Sequence, residues 1–163
     1  MAKIFIGQYY GKSFFSKLIK WRTWSEISHT AAFLPALVDD IYVCSDIAIE
    51  AWGKGITKGY YKDTHTPGTK IDIYSIYTTT VGSEKFYSWL YSKIGGKYDW
   101  KAIIGFVTRS HLESSSRWFC SELIYQAMVE AKIYPLQNIE PHQVAPGILN
   151  ISPILNYEKT ITT

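Results

Sequence analysis

The chain has 163 residues, of which 47% are hydrophobic and 19% charged, enough to bury the core of one domain spanning residues 1–163. Its 17 Lys and Arg residues against 14 Asp and Glu residues give a formal net charge of +3. This charge is weak and dispersed along the chain, so the composition argues against a nucleic-acid-binding protein.

Apolar runs and cysteines narrow the class of protein further. No segment approaches the roughly 20 apolar residues of a membrane span. The apolar run at the N-terminus is too short for a signal peptide. Cys44 and Cys120 alone suit neither a disulfide framework nor a zinc site. We therefore expect a cytoplasmic or phage-associated protein with free thiols, no transmembrane segment and no cofactor.

The first half of the chain predicts mainly strands. In chain order, the pattern predicts a short strand at residues 3–6, an amphipathic helix at residues 12–24, and strands at residues 28–34, 41–51 and 70–77. Pro35 is expected to stop the strand of residues 28–34, and Asp39 and Asp40 to form a turn. Residues 56–69 are expected to be a loop.

The second half predicts mainly helices. Ser83 is expected to cap a helix that runs to about Ile94, and residues 100–107 to form a second, short helix. A third helix is expected from Cys120 to about Ala131, preceded by a serine-rich loop and cap at residues 114–116. The tail from Pro135 is expected to be irregular or extended. This order of elements is typical of an α+β protein.

Cys120 is the strongest candidate for a catalytic residue. It lies in the first turn of a predicted helix, where unpaired backbone N–H groups stabilise a thiolate or an oxyanion. A buried cysteine that acts as a small hydrophobe is the alternative interpretation of the same pattern.

A thiol nucleophile needs a base, and the chain has four histidines. His29 begins a predicted strand, and a rigid element holds an imidazole better than a loop does. His65 and His111 fall in predicted loops, and His142 falls in the tail, so position favours His29 over these three candidates. Glu50 lies on the polar side of the strand of residues 41–51. If that strand pairs with the strand of His29, the Glu50 carboxylate can accept the imidazole N–H and fix its tautomer.

These residues, in this order, resemble a known family. His29 in Ser28-His29-Thr30-Ala31-Ala32-Phe33, Glu50 in Ala48-Ile49-Glu50-Ala51-Trp52-Gly53 and Cys120 in Phe119-Cys120-Ser121-Glu122-Leu123 resemble the circularly permuted papain-like proteins of the NlpC-type superfamily. This branch includes YiiX-like and YebB-like proteins and, more distantly, lecithin:retinol acyltransferase-like proteins. Segments 96–100 and 140–146 also resemble that family, so the resemblance covers most of the chain.

The resemblance implies a small antiparallel sheet packed against helices, with the start of the cysteine helix facing the histidine strand. It also implies that Cys120 attacks a carbonyl carbon, that His29 is its base and ion-pair partner, and that Glu50 orients His29. Tyr98 would lie near Cys120 and lend its hydroxyl to the site. No metal enters this mechanism.

The resemblance leaves the substrate open. The leading hypothesis is a cysteine hydrolase that cleaves an amide bond in a peptide or cell-wall peptide. Acyl hydrolysis or transfer on a lipid or thioester is the second hypothesis, since permuted relatives perform acyl chemistry. A third is a non-catalytic binding or structural component, for instance of a phage particle, which a wide separation of Cys120 and His29 would favour. The oligomeric state does not follow from the sequence.

Overall fold

The computed structural model describes residues 1–99 and 117–163. Within these ranges the helices and strands are arranged around one large sheet, and their bounds are β1 Ala2–Tyr9, α1 Phe14–Thr23, β2 His29–Val38, β3 Ile41–Trp52, β4 Gly55–Tyr60, β5 Lys70–Thr78, α2 Thr80–Lys93, β6 Lys97–Tyr98, β7 Arg117–Trp118, α3 Cys120–Glu130 and β8 Asn156–Thr162. Two short 3-10 turns, Pro141–Gln143 and Pro146–Ile151, lie between α3 and β8.

The large sheet has six antiparallel strands in the order β4-β3-β2-β1-β5-β8. The strand β1 lies near its centre and pairs with both β2 and β5. The strands β6 and β7 form a separate parallel pair. The predicted α+β class, with a small antiparallel sheet packed against helices, is confirmed. Within the described ranges no helix is long and apolar enough to cross a membrane.

The two faces of the sheet bury different side chains. Side chains alternate between faces along each strand. On the helix-covered face, Ile4, Ile6 and Ile49 pack with α2 and α3 in one apolar core that includes Cys120. On the opposite face, Tyr9 and Phe33 belong to a second core, to which the loop that follows β4 contributes Tyr61.

Three predicted boundaries differ from the structure. The strand β2 continues through Pro35 because the β2–β3 register shifts between Phe33 and Pro35, so the missing N–H falls at an irregularity of the ladder. Residues 55–60 form β4 rather than loop. The helix α2 is capped by Thr79, whose hydroxyl accepts a hydrogen bond from the Gly82 N–H, rather than by Ser83.

The remaining predicted elements agree with the structure or fall outside it. The helix α1, the turn at Asp39 and Asp40, and the strands β3 and β5 lie within a few residues of their predicted places. The tail contains the predicted irregular segment and also β8. The helix predicted at residues 100–107 and the loop at residues 114–116 lie outside the described residues.

Candidate active site

Cys120 is the first residue of α3, where the chain turns from an extended residue into the helix. Phe119 is extended, at φ −83° and ψ 154°, and its N–H donates to Glu122 Oε2 at 3.2 Å. The backbone N–H groups of Thr30, Ser121 and Cys120 itself act on the Cys120 thiol and favour its thiolate form. The sulfur therefore lies among donors from the start of α3 and the start of β2.

Burial governs the protonation of this thiol. Cys120 is 1% exposed, and burial raises its pKa to about 12, although the three backbone N–H groups act in the opposite direction. A helix-start thiolate at neutral pH, the state that the sequence pattern favours, is therefore not the resting state. Any nucleophilic attack by Cys120 has to begin with removal of its proton.

His29 and Glu50 are held together by the pairing of β2 with β3. The ladder places Ala32 opposite Ile49, and this brings the imidazole Nε2 to 2.6 Å from Glu50 Oε2. Burial alone would raise the pKa of Glu50, but hydrogen bonds from His29 and His65 hold that pKa well below its usual range. An ionised carboxylate only accepts hydrogen bonds, so Nε2 of His29 carries the proton.

The other nitrogen of His29 is left as a base. In the Nε2–H tautomer, Nδ1 has a free lone pair. Nδ1 is buried and has no hydrogen-bond partner among the described residues. Burial lowers the pKa of His29, against the raising effect of the hydrogen bond to Glu50, so the ring is neutral at neutral pH.

His65 joins this pair, which the sequence analysis did not foresee. Its Nε2 donates to the same oxygen, Glu50 Oε2, at 2.9 Å, and its side chain is 4% exposed. The reason is β4, which pairs with β3 so that Thr57 lies opposite Glu50, and the loop after β4 then returns His65 to the carboxylate. A hairpin turn at Gly53 to Gly55, which was not predicted, is the sequence signal that could have indicated this return.

Two aromatic rings enclose the imidazoles. Tyr9 lies 5.1 Å from His29 and 4.3 Å from His65 between ring centroids. Trp52 lies 5.2 Å and 4.9 Å from the same two rings. We call His29, Glu50 and His65 the His–Glu–His cluster. Glu50 is buried at 2% exposure, and the two imidazoles are its hydrogen-bond donors among the described residues.

The Cys120 sulfur and the His29 ring lie at the same end of β2 but make no hydrogen bond to each other. The His29 side chain is on the opposite face of the sheet, whereas Cys120 packs with the helix-covered face. They are linked through the backbone at Thr30, the residue that follows His29, whose N–H favours the thiolate form of Cys120. A catalytic pair of these two groups would have to form its hydrogen bond when substrate binds, as catalytic hydrogen bonds often do.

Gln8 adds a polar side chain that the sequence analysis missed. It is fully buried on β1, opposite Thr30, and its Oε1 accepts the Thr30 hydroxyl at 3.0 Å. Its Nε2 is buried with no hydrogen-bond partner among the described residues. A buried glutamine amide with an unpaired N–H costs free energy of folding. Gln8 contacts Thr30, whose backbone N–H lies near the Cys120 sulfur.

The other predicted residues have different outcomes. Tyr98 lies in the same core as Cys120, and burial together with the neighbouring Cys120 sulfur raises its pKa well above the usual range, so its hydroxyl stays protonated. His142 lies in the first 3-10 turn and is exposed. His111 lies outside the described residues.

The His–Glu–His cluster also has the donor types of a metal site. Its two imidazole nitrogens and one carboxylate oxygen all lie within 4.8 Å of one another. Such a set suits Zn²⁺, although the N–O separations of 2.6 Å and 2.9 Å are those of hydrogen bonds. The two cysteines alone do not predict a zinc site, so this donor set is an addition to what the sequence predicts.

Comparisons with known proteins give a fold neighbour but no family. No family model matches the chain, and no curated protein matches it significantly. Among solved structures, the chain is similar to metalloprotein yiiX from Escherichia coli O157:H7, with a TM-score of 0.59 and 16% sequence identity. The alignment covers 95% of this chain and 94% of that one. At this identity the likeness shows that the two chains share a fold.

Proposed function

We propose that the protein is a cysteine-dependent hydrolase that cleaves an amide bond through a thioester intermediate. One observation carries the proposal: the Cys120 sulfur is buried at the start of α3 near the backbone N–H of Thr30, the residue next to His29, and His29 Nδ1 is left without a partner among the described residues. The fold shared with yiiX is consistent with this proposal, since the sequence resemblance named YiiX-like proteins independently.

In the first step His29 Nδ1 takes the proton of Cys120 as the sulfur attacks the substrate carbonyl carbon. A C–S bond forms, and the carbonyl oxygen becomes an oxyanion. The ionised Glu50 then stabilises the imidazolium through Nε2–H. Because the resting thiol and imidazole are both neutral, His29 acts as a general base rather than as a preformed ion-pair partner.

The second step breaks the amide bond. The amine leaves with the proton from His29 Nδ1, and the acyl group stays on Cys120 as a thioester. Water, deprotonated by His29, attacks the thioester and releases the acid, and the proton returns to the sulfur. The backbone N–H of Cys120 and the free amide of Gln8 are the donors we assign to the oxyanion, with Tyr98 as a supporting hydroxyl.

The substrate we propose is a peptide or cell-wall peptide. Lipid or thioester acyl chemistry uses the same residues, and a substrate panel distinguishes the two. The experiment incubates the protein with peptide, wall-peptide and acyl-ester substrates and follows both product release and the mass of the acylated protein. Cys120→Ala is the test variant, and Cys44→Ala, which removes the other free thiol, is its matched control.

We expect an acyl adduct on Cys120, turnover of an amide substrate by the wild type and by Cys44→Ala, and a loss of at least about 10³-fold in Cys120→Ala. Adducts and turnover with acyl esters alone would move the assignment to lipid or thioester chemistry. Turnover that survives in Cys120→Ala would overturn the cysteine mechanism, and no adduct with any substrate would favour a non-catalytic component.

A second candidate function is metal binding by His29, Glu50 and His65. It is favoured by the donor set of the His–Glu–His cluster and by the name of the fold neighbour, which calls that protein a metalloprotein. A Zn²⁺ ion in such a site activates water for hydrolysis. In this case the three residues release the hydrogen bonds among themselves and act as ligands, so His29 Nε2 no longer donates to Glu50.

Direct binding separates the two candidates. Isothermal titration of the apo protein with Zn²⁺ is compared between wild type, His65→Ala and Cys120→Ala. Metal binding that is lost in His65→Ala and kept in Cys120→Ala supports the metal site. Unchanged heats in all three proteins exclude specific binding at the cluster.

A further inference from the structure

The helix α1 presents an apolar stripe away from the protein. Ser16 and Ile19 are its buried residues. Phe14, Leu18 and Trp21 follow at intervals of four and three residues, which places them on one side of a helix, opposite Ser16 and Ile19. Phe14 is 76% exposed and Trp21 is 67% exposed. An amphipathic surface helix normally has the reverse arrangement, with its apolar stripe toward the core.

The stripe continues at the end of the helix. Trp24 is the C-cap residue in the left-handed conformation, at φ 53°, and its side chain is 93% exposed. Phe14, Trp21 and Trp24, which all lie on this one short segment, are therefore turned toward solvent. Scattered exposed apolar residues are ordinary, whereas a contiguous set on one element marks a binding surface.

The same segment concentrates positive charge. Residues 12–24 contain Lys12, Lys17, Lys20 and Arg22 and no acidic residue. Since the whole chain carries a formal charge of +3, the remaining residues carry −1. Lys20 is partly engaged by Glu26, at 3.7 Å, but no salt bridge is present for the other three among the described residues. The basic groups flank the aromatic stripe on an otherwise slightly acidic protein.

We propose that α1, with the Trp24 cap, docks on the surface of an anionic phospholipid bilayer. Trp and Phe on one side of a short helix, flanked by Lys and Arg, is the composition of interfacial helices. Trp prefers the headgroup region because its ring has an apolar body and a polar N–H. Basic side chains add attraction to anionic lipids. A protein partner would satisfy the aromatic stripe equally, but the excess of basic residues without acidic ones favours the anionic surface.

The position of α1 would bring a bound bilayer close to the candidate active site. The helix lies in the connection between β1 and β2, which is closed at its base by the Ser28 N–H donating to the Tyr9 carbonyl at 3.0 Å. His29 follows closely after Trp24 in the chain. A bilayer bound by α1 would lie beside the end of β2 that contains the candidate site. The inference itself does not depend on the proposed hydrolase activity.

The test is flotation of the full chain with two kinds of vesicle. One is phosphatidylcholine alone, and the other is phosphatidylcholine and phosphatidylglycerol in equal parts. We expect the wild type to float with the anionic vesicles only. Trp21→Ser with Trp24→Ser should weaken binding at least about tenfold, because two interfacial aromatic rings are lost. Lys17→Gln with Arg22→Gln should weaken it about fivefold for each charge removed.

The chain offers a matched control on the β2–β3 hairpin. Leu37 and Ile41 are 60% and 62% exposed but flank Asp39 and Asp40. Leu37→Ser with Ile41→Ser removes exposed apolar surface from an acidic region and should leave flotation unchanged. Thermal unfolding of each variant checks that the fold is retained. A wild type that stays unbound, that binds both vesicles equally, or that is unaffected by the aromatic substitutions overturns the proposal. Self-association lost in the Trp variant, without flotation, would overturn it too and assign the stripe to a second copy of the chain.

Discussion

The two faces of the sheet differ in the interactions that stabilise them. The helix-covered face is an apolar core, in which Ile4, Leu123 and Met128 are fully buried against α2 and α3. The opposite face, at the end of β2 and β3, buries an ionised carboxylate between two imidazoles. Burial of a charge is costly unless it is hydrogen-bonded, and among the described residues His29 and His65 both donate to Glu50 Oε2.

The difference separates stability from chemistry. Packing on the helix-covered face does not need any particular polar residue, since apolar contacts are non-directional. The His–Glu–His cluster depends on three specific side chains and offers the unpaired base His29 Nδ1. Substitutions of apolar residues on the first face should change the free energy of unfolding, whereas substitutions in the cluster, and of Cys120 where α3 begins, should change turnover by the proposed mechanism.

Leu123→Ala should give the largest effect on stability. The side chain is fully buried on α3, so its truncation leaves a cavity and should lower the free energy of unfolding by about 3 kcal/mol. Chemical denaturation measures the loss, and Leu37→Ala, at a 60% exposed position, should change stability by less than about 0.5 kcal/mol. Activity per folded molecule should be unchanged. A large fall in that activity would show that the apolar core of the helix-covered face also determines turnover, contrary to the separation of stability from chemistry.

Glu50→Gln should lower turnover about thirtyfold. The introduced amide carbonyl, at the position of Oε2, can accept both imidazole N–H groups, but it has no charge to stabilise the imidazolium of His29. Because hydrogen bonds to a neutral acceptor are weaker than those to a carboxylate, stability should also fall by about 1 kcal/mol. Steady-state kinetics and denaturation are measured on the same samples. Unchanged turnover would show that Glu50 is a structural residue.

His65→Ala should lower turnover about tenfold, with the change in kcat rather than KM, because His65 positions Glu50 and does not contact substrate. His65→Asn keeps an N–H donor near the carboxylate and should restore part of the loss. His142→Ala, at an exposed position, is the matched control. Equal activity in wild type and His65→Ala would return His65 to the role of a loop residue, as the sequence analysis expected.

Asp72→Asn should give the smallest effect, away from the cluster. Asp72 is 6% exposed on β5 and accepts hydrogen bonds from the Tyr10 hydroxyl at 2.7 Å and the Thr160 hydroxyl at 2.6 Å. Burial alone would raise its pKa, but hydrogen bonds from Thr160, Tyr10 and Lys70 lower it. The carboxylate should therefore contribute about 1 kcal/mol above its unfolded pKa of about 4 and lose it as the pH falls through the lower folded pKa.

Denaturation at neutral and acidic pH checks this sign. The stability difference between wild type and Asp72→Asn should be present at neutral pH and should shrink in acid. A difference that grows on acidification would mean that the carboxylate is destabilising in the folded protein.

The order of strands and helices could be predicted from the sequence where local pattern and packing agree. The helix α3 is amphipathic, and apolar and polar side chains alternate along β3 around Glu50. Both elements were therefore predicted to within one residue at each end. The α+β class followed from that order. The proximity of His29 and Glu50 followed from assuming that the two strands pair, which they do. The catalytic roles of Cys120, His29, Glu50 and Tyr98 stay predictions, as does the single domain over residues 1–163.

The parts that could not be predicted depend on contacts between distant segments. The segment at residues 55–60 contains two glycines and a lysine, so local propensity favours loop, and pairing with β3 overrides it. That error hid His65, whose place depends on β4. The raised pKa of Cys120 depends on how completely α3 and the sheet bury the sulfur, which a local helix-start pattern does not describe.

The peptide unit that joins His29 to Thr30 sets how the sulfur and the imidazole can approach. Its N–H lies near the Cys120 sulfur, and the strand to which it belongs is paired with β1 at Tyr9 and Gln8. The backbone therefore cannot slide without losing ladder hydrogen bonds. Closing the gap to Nδ1 falls to side-chain torsions at Cys120 and His29, which relax within nanoseconds at exposed sites and more slowly in a packed interior. Activation of the thiol would depend on the populations of the Cys120 and His29 rotamers. It would not need one part of the protein to move toward another.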